Sequence, residues 1–202
     1  MAELITTFFF LFAVVDPIGS VPVYLEATKD FDIKNKRKIA VRAPGVAFLI
    51  LLFFIVAGQL IFEGMDVTLD AFQISGGVIL FLFALTMIFG DGKPEQEKKK
   101  ISDYKHVTVF PVAIPSIASP GAIMAVVILT DNHLYALQHQ AVTTVLVLLV
   151  IILTSFILLA ANKVQLIIGD YGIAVISKIM GLILASYAIQ SIMTGIKSYF
   201  LS

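Results

Sequence analysis

The hydrophobic residues of this chain gather into long runs, and the polar and charged residues gather in short stretches between the runs. Six runs are about 20 residues long, enough for a helix to cross the hydrocarbon layer of a bilayer. We therefore predict six membrane-spanning helices, at about 4–27, 40–62, 68–89, 107–129, 140–161 and 172–196. The fold class that follows is an all-α polytopic membrane protein.

Two of the six spans are interrupted near the middle by a signal for the start of a helix. Residues 16–19 read Asp-Pro-Ile-Gly, and residues 119–122 read Ser-Pro-Gly-Ala. Asp and Ser accept hydrogen bonds from the free N–H groups of a first helical turn, and proline suits the first helical position. Pro111 and Pro115 also disfavour a continuous helix before the second signal. Each signal therefore predicts a new half-helix that starts inside the membrane.

The two halves of the chain overlay on each other. Asp16 and Ser119 are 103 positions apart, and Gly77 and Gly181 are 104 positions apart. Each half consists of a broken span, a plain span and a glycine-bearing span. Because three is an odd number of spans, the second repeat enters the membrane from the side opposite to the first. We therefore predict one transmembrane domain (1–202) of two inverted repeats, at 1–90 and 107–202, joined by a charged linker at 91–106. The pseudo-two-fold axis would bring both breaks together near the midplane.

Composition supports a membrane location and excludes some chemistry. The 202 residues are 59% hydrophobic and 14% charged, whereas a soluble domain is about 45–50% apolar and about 25% charged. The absence of cysteine excludes disulfides, thiolate catalysis and cysteine-ligated metal sites. The loops at 28–42, 90–106 and 162–171 hold twelve of the fourteen basic residues. Cytoplasmic loops are rich in Lys and Arg, so these three loops are predicted to face the cytoplasm. The protein would then lie in the cytoplasmic (inner) membrane with both termini on the outer side.

The chemistry of the two breaks suits a small zwitterion. The N-terminus of a half-helix offers free N–H groups and about half a positive charge, which suits a carboxylate. Unwound carbonyls and the Asp16 carboxylate would suit an ammonium group, and together these groups describe a neutral amino acid. The predicted substrate-binding residues are those at the breaks and two polar residues within spans: Asp16, Pro17, Gly19, Ser20, Ser119, Pro120, Gly121, Ala122, Gln73 and Gln190.

Several of these residues also have a purely structural interpretation. An acidic residue inside a membrane indicates a function by default, so Asp16 is a candidate for binding substrate or a coupling proton or sodium ion. Asp16 can equally act only as a helix cap, and the same alternative holds for Ser119. Gln73 and Gln190 can serve only as hydrogen-bond partners between helices. Gly77 and Gly181 are best explained by close helix packing.

The motifs together resemble the MarC family of integral membrane proteins, also called the small neutral amino-acid transporter family. The resemblance covers nearly the whole chain and is carried by residues 16–22, 73–77, 111–115, 119–123 and 180–185. It implies six spans and transport of glycine, alanine and similar amino acids. It also implies kinship with exporters of amino acids and metals of the lysine-exporter type.

The strongest alternative function is an ion channel, or an ion or metabolite exporter of the lysine-exporter type. An intramembrane enzyme is not expected, because Asp16 has no second deep acid beside it in the sequence pattern and the three histidines fall at span ends or in loops. We therefore predict no catalytic residue, no cofactor, no metal site and no nucleic-acid partner. The predicted partners are a small neutral amino acid, a proton or sodium ion for coupling and the lipid bilayer, and a homo-oligomer is compatible with the sequence.

Overall fold

A computed structural model describes residues 2–64, 68–89, 103–132 and 135–201 of the protein. Every regular element in these ranges is helical, which confirms the all-α part of the predicted fold class. The elements are α1 (Ala2–Val15), α2 (Ser20–Thr28), α3 (Ile33–Gly64), α4 (Leu69–Phe89), α5 (Tyr104–Val107), a π-helical stretch (Thr108–Ile117), α6 (Pro120–Leu129), α7 (Leu137–Leu159) and α8 (Ala161–Leu201). Most of the linker predicted at 91–106, up to residue 102, lies outside the described residues.

Four stretches within the described residues are long and apolar enough to cross a membrane: Glu3–Thr28, Ile33–Ile61, Leu137–Leu159 and Tyr171–Phe200. A fifth is formed if Tyr104–Ile117 and Pro120–Leu129, which meet at 59°, count as one bent span. The apolar helix Gln73–Phe89 is shorter than these. All of these stretches overlap spans predicted from the hydrophobic runs.

Two segments predicted as cytoplasmic loops are largely helical, and that part of the prediction was wrong. In the segment 28–42, α3 begins at Ile33, ahead of the apolar run, and α8 includes all of 162–171, with a bend at Gly169. Lys and Arg are good helix formers, so a helix can continue past the apolar residues that define a span. Gly169 permits the bend because its backbone φ is +69°, a value that glycine adopts without steric cost.

Helices α4 and α8 pack closely through glycines. The same type of contact occurs twice at this interface: a glycine faces the carbonyl of an alanine and the side chain of an isoleucine. Gly77 faces Ala188 and Ile192, and Gly181 faces Ala84 and Ile88. A Cβ on Gly77 would lie 2.6 Å from Ile192 Cγ1, and a Cβ on Gly181 would lie 3.0 Å from Ile88 Cγ1. Small residues therefore set the separation of these helices, as predicted for Gly77 and Gly181.

The remaining helices are arranged in corresponding pairs. Helix α1 packs against α7, while the π-helical stretch packs against α3. Helix α2 packs against α8 and the π-helical stretch, while α6 packs against α4 and α1. Each of these contacts of α1 and α2 thus has a corresponding contact of the π-helical stretch or α6. The two points at which a span is interrupted lie inside this packing arrangement. The residues Val14, Val15, Val21, Ile117 and Ala118 beside them are buried.

Candidate functional site

The first break is built around Asp16. Helix α1 closes with a hydrogen bond from Asp16 N to Phe12 O, and Asp16 itself has a φ of +48°. Aspartate is among the few residues other than glycine that adopt this left-handed region. Its carboxylate Oδ1 accepts from Gly19 N at 2.9 Å, and its carbonyl accepts from Ser20 N at 3.0 Å. Asp16 therefore caps the chain that follows, as predicted. Regular helix begins at Ser20, later than predicted, because a turn separates Asp16 from α2.

The second break begins with an irregular stretch. Phe110 and Ile114 have extended backbone angles, with ψ values of 124° and 131°. Each precedes a proline, and the proline ring excludes the preceding residue from the helical region. Regular helix resumes at Pro120, and Ser119 is its N-cap, with Oγ accepting from Ala122 N at 3.0 Å. This N-cap is the one predicted from the sequence.

The two caps share one hydrogen-bond pattern. In each, a side-chain oxygen accepts from the N–H three residues later, and the carbonyl of the same residue accepts from the N–H four residues later. The shift of 103 positions carries Asp16 onto Ser119 and Gly19 onto Ala122. The caps differ in charge, because one oxygen belongs to a carboxylate and the other to a hydroxyl. Only the first break can therefore supply a negative charge.

The structure brings the two breaks into contact. Ser20 Oγ lies 3.0 Å from Asp16 O and 3.3 Å from Ser116 O, so its single hydroxyl hydrogen is shared between a carbonyl of each break. Asp16 is 3% exposed, Ser116 is 2% exposed, and Ser20 and Ser119 are fully buried. The sequence-predicted residues Asp16, Gly19, Ser20 and Ser119 thus belong to one buried junction, which we call the break junction (residues 16–20 and 116–122).

A third element reaches the break junction through Ser177 of α8. A Cβ on Gly19 would collide with the Asp16 carboxylate and would lie 2.7 Å from Ser177 Oγ. The Ser177 hydroxyl and the Asp16 carboxylate therefore approach the same point beside Gly19. Ser177 was not among the residues predicted from the sequence. The available signal was its position 104 residues after Gln73, at the start of the matching glycine motifs.

Other predicted site residues have different surroundings. Pro17 is buried in the turn after Asp16, and Pro120 is exposed at the start of α6. Gly121 packs against α4, where a Cβ would lie 3.0 Å from Phe83 Cδ1 and 3.1 Å from Leu80 Cδ1. The space beside Gly121 is therefore filled by α4.

The two predicted glutamines lie on α4 and α8. The carbonyl of Gln73 on α4 accepts from Ser191 Oγ on α8 at 3.4 Å, which joins the two helices. Gln190 is exposed on α8 and lies roughly 20 Å along the helix from Ser177, at about 1.5 Å per residue. Within the described residues, no group of three or more His, Asp or Glu side chains could hold a metal ion.

Comparison with known proteins assigns the family. The MarC family of integral membrane proteins matches residues 1–200. The chain belongs to the MarC family. Its relatives include UPF0056 membrane proteins of Pyrococcus horikoshii, 35% identical over 99% of both chains, and of Methanocaldococcus jannaschii, 31% identical over 98% of this chain and 97% of the relative. The UPF0056 membrane protein YvbG of Bacillus subtilis is 32% identical over 98% of this chain and 95% of the relative. No solved structure matches the chain.

Proposed function

We propose that this MarC family protein is a secondary transporter of small neutral amino acids such as glycine and alanine. The observation that carries the proposal is the break junction, where two interrupted helices meet through Ser20 and Ser116 in the buried interior. Broken helices are tolerated in a membrane only where protein or a cavity surrounds them, and in transporters they form the substrate site.

The proposed architecture is six crossings arranged as two inverted repeats, 1–90 and 107–202. It is supported by the paired contacts of α4 and α8, because exchanging the halves at a shift of 104 turns the Gly77 contact into the Gly181 contact. A two-fold axis in the membrane plane requires such exchanges. Substrate access from either side would follow from movement of one repeat against the other around the junction.

The proposed ligand groups match the two ends of an amino acid. The first turns of the chain after Asp16 and of α6 supply N–H groups for a carboxylate. The Asp16 carboxylate and the Ser116 carbonyl supply oxygens for an ammonium group. Asp131, a second buried acidic residue, follows the far end of α6. A single negative charge at the junction favours a substrate without a charged side chain.

Orientation and coupling complete the proposal. The segments around 28–42, 90–106 and 162–171 would face the cytoplasm and both termini would lie outside, because these segments carry most of the basic residues. A proton or sodium ion at Asp16 would couple transport to a gradient. The same buried carboxylate is the observation that favours the second candidate function, an ion or metabolite exporter of the lysine-exporter type. No enzymatic reaction is proposed.

The test is uptake of radiolabelled glycine and alanine into proteoliposomes that contain the purified full chain. We expect saturable uptake, competition by unlabelled small neutral amino acids and stimulation by an imposed proton or sodium gradient. Protein-free liposomes give the background rate. Absence of uptake in both membrane orientations, together with no competition by any neutral amino acid, would contradict the proposal and would favour the exporter of ions.

A further inference from the structure

A surface groove separate from the break junction lies between α3 and the start of the fourth predicted span. Its volume is about 400 Å³. Its surface is mostly apolar, and its lining residues are Arg42, Gly45, Val46, Leu49, Tyr104, Lys105 and Thr108. Along α3 the groove runs from the last basic residue into the apolar part of the helix, over roughly 10 Å at about 1.5 Å per residue.

Positive charge is concentrated at one end of this groove. Lys38 Nζ lies 5.2 Å from the centre of the Tyr104 ring, and Arg42 Cζ lies 5.9 Å from it, both within range of a cation–π interaction. Arg42 Nη1 also donates to Tyr104 Oη at 3.3 Å. Lys105 adds a third cation at the rim. Neither ion pair found within the described residues involves Lys38, Arg42 or Lys105.

The apolar end of the groove is open. A Cβ on Gly45 would meet no atom within 4 Å, and Leu49 is 65% exposed. No described helix therefore covers this face of α3 beside the cation cluster. In a membrane-spanning helix, such a face is covered by lipid or by another protein.

We infer that this groove binds one acidic phospholipid. Its phosphate would accept hydrogen bonds from Arg42 and Lys105, and one acyl chain would lie along Gly45, Val46 and Leu49. Charge complementarity selects this occupant, because guanidinium and ammonium groups bind phosphate strongly and basic residues at the membrane surface attract anionic lipids. A zwitterionic phospholipid such as phosphatidylcholine carries an ammonium group beside its phosphate, which Lys38, Arg42 and Lys105 disfavour.

The absence of tryptophan allows a direct test. The full chain with Leu49→Trp is reconstituted into vesicles that contain phospholipids with brominated acyl chains, which quench tryptophan fluorescence on contact. We expect brominated phosphatidylglycerol to quench this tryptophan more strongly than brominated phosphatidylcholine at equal mole fraction. Phe156→Trp provides the matched control, because Phe156 is 63% exposed on α7 and lies outside the groove. There we expect equal quenching by the two lipids.

Substitutions of the cations identify the site. In the Leu49→Trp background, Arg42→Gln with Lys105→Gln should lower the preference for phosphatidylglycerol, by roughly fivefold for each cation removed. Lys34→Gln with Arg37→Gln removes two exposed cations outside the groove and should preserve the preference. Added inorganic phosphate should leave quenching unchanged if the ligand is a lipid. Equal quenching by both lipids at position 49, a preference that survives Arg42→Gln with Lys105→Gln, or displacement by phosphate would overturn the inference.

Discussion

The hydroxyl of Ser20 donates to the carbonyl oxygen of Ser116 across 96 positions of sequence. This bond joins the chain after the first break to the chain before the second. The accepting carbonyl follows Pro115 in the irregular stretch, in a region where Ser20 and Ser116 are both buried. Buried polar groups need partners, and here each break supplies a partner for the other. A change at either break is therefore expected to affect both.

Replacing Asp16 by asparagine separates its charge from its role as a cap. Asparagine tolerates the left-handed backbone and can accept from Gly19 N, so Asp16→Asn should keep the fold. We expect the rate of glycine or alanine uptake to fall by about tenfold or more, as for loss of a charged ligand that contributes at least ~1.4 kcal/mol.

Asp16→Ala is the comparison for this substitution. Alanine removes the cap as well as the charge, and should lower the free energy of unfolding by a further ~0.5–2 kcal/mol. Thermal unfolding in detergent measures this difference. Uptake by Asp16→Asn at the wild-type rate would leave Asp16 with a capping role alone.

Gly19→Ala should abolish transport by filling the space beside Asp16. The added Cβ would collide with the Asp16 carboxylate and approach Ser177 Oγ. Gly64→Ala is the matched control, because the added Cβ would meet nothing within 4 Å and position 64 is exposed at the end of α3. Uptake measured for both variants, after confirmation that each is folded, tests whether that space is used. Wild-type transport by Gly19→Ala would place the substrate elsewhere.

Ser177→Ala should weaken substrate binding without changing the fold. Its hydroxyl faces the same point as the Asp16 carboxylate, and removal of a neutral hydrogen-bonding group costs about 0.5–1.5 kcal/mol. We therefore expect the KM for glycine or alanine to rise by roughly threefold to tenfold. Ser198→Ala, on the exposed end of α8, serves as the control and should leave KM unchanged.

Gly77→Ala and Gly181→Ala should destabilise the protein to a similar extent. Each Cβ would press on an isoleucine and on an alanine carbonyl of the partner helix, and overpacking of this kind costs about 1–3 kcal/mol. Similar losses in thermal stability are expected because the two contacts are counterparts at a shift of 104. A large loss in one variant with none in the other would contradict the proposed repeat at this interface.

Local sequence rules predicted the parts of the junction that depend on neighbouring residues. The caps at Asp16 and Ser119 follow from residue type and the prolines after them, and the extended backbone at Phe110 and Ile114 follows from the prolines after those residues. The left-handed backbone at Asp16 was not predicted, because aspartate adopts either sign of φ when it caps a turn.

Contacts between segments that are distant in the sequence could not be predicted from local sequence rules. Ser177 reaches Gly19 only through the packing of α8 on α2, and no local pattern distinguishes it from the other serines of α8. Gly121 was among the predicted substrate-binding residues, whereas Phe83 and Leu80 of α4 occupy the space beside it. Close packing at Gly77 and Gly181 was predicted, because small residues let helices approach closely in a membrane.

The most direct test of the break junction as the substrate site uses the absence of cysteine from this chain. Ser20→Cys introduces one thiol at the junction, and Ser198→Cys introduces one at the exposed end of α8 as the control. In proteoliposomes in which both variants still transport, glycine or alanine at concentrations near KM should slow the reaction of the junction thiol with a small membrane-permeant thiol reagent, and should leave the control unchanged. If the junction thiol reacts at the same rate with and without saturating amino acid, in protein that transports this amino acid, the break junction is not the substrate site.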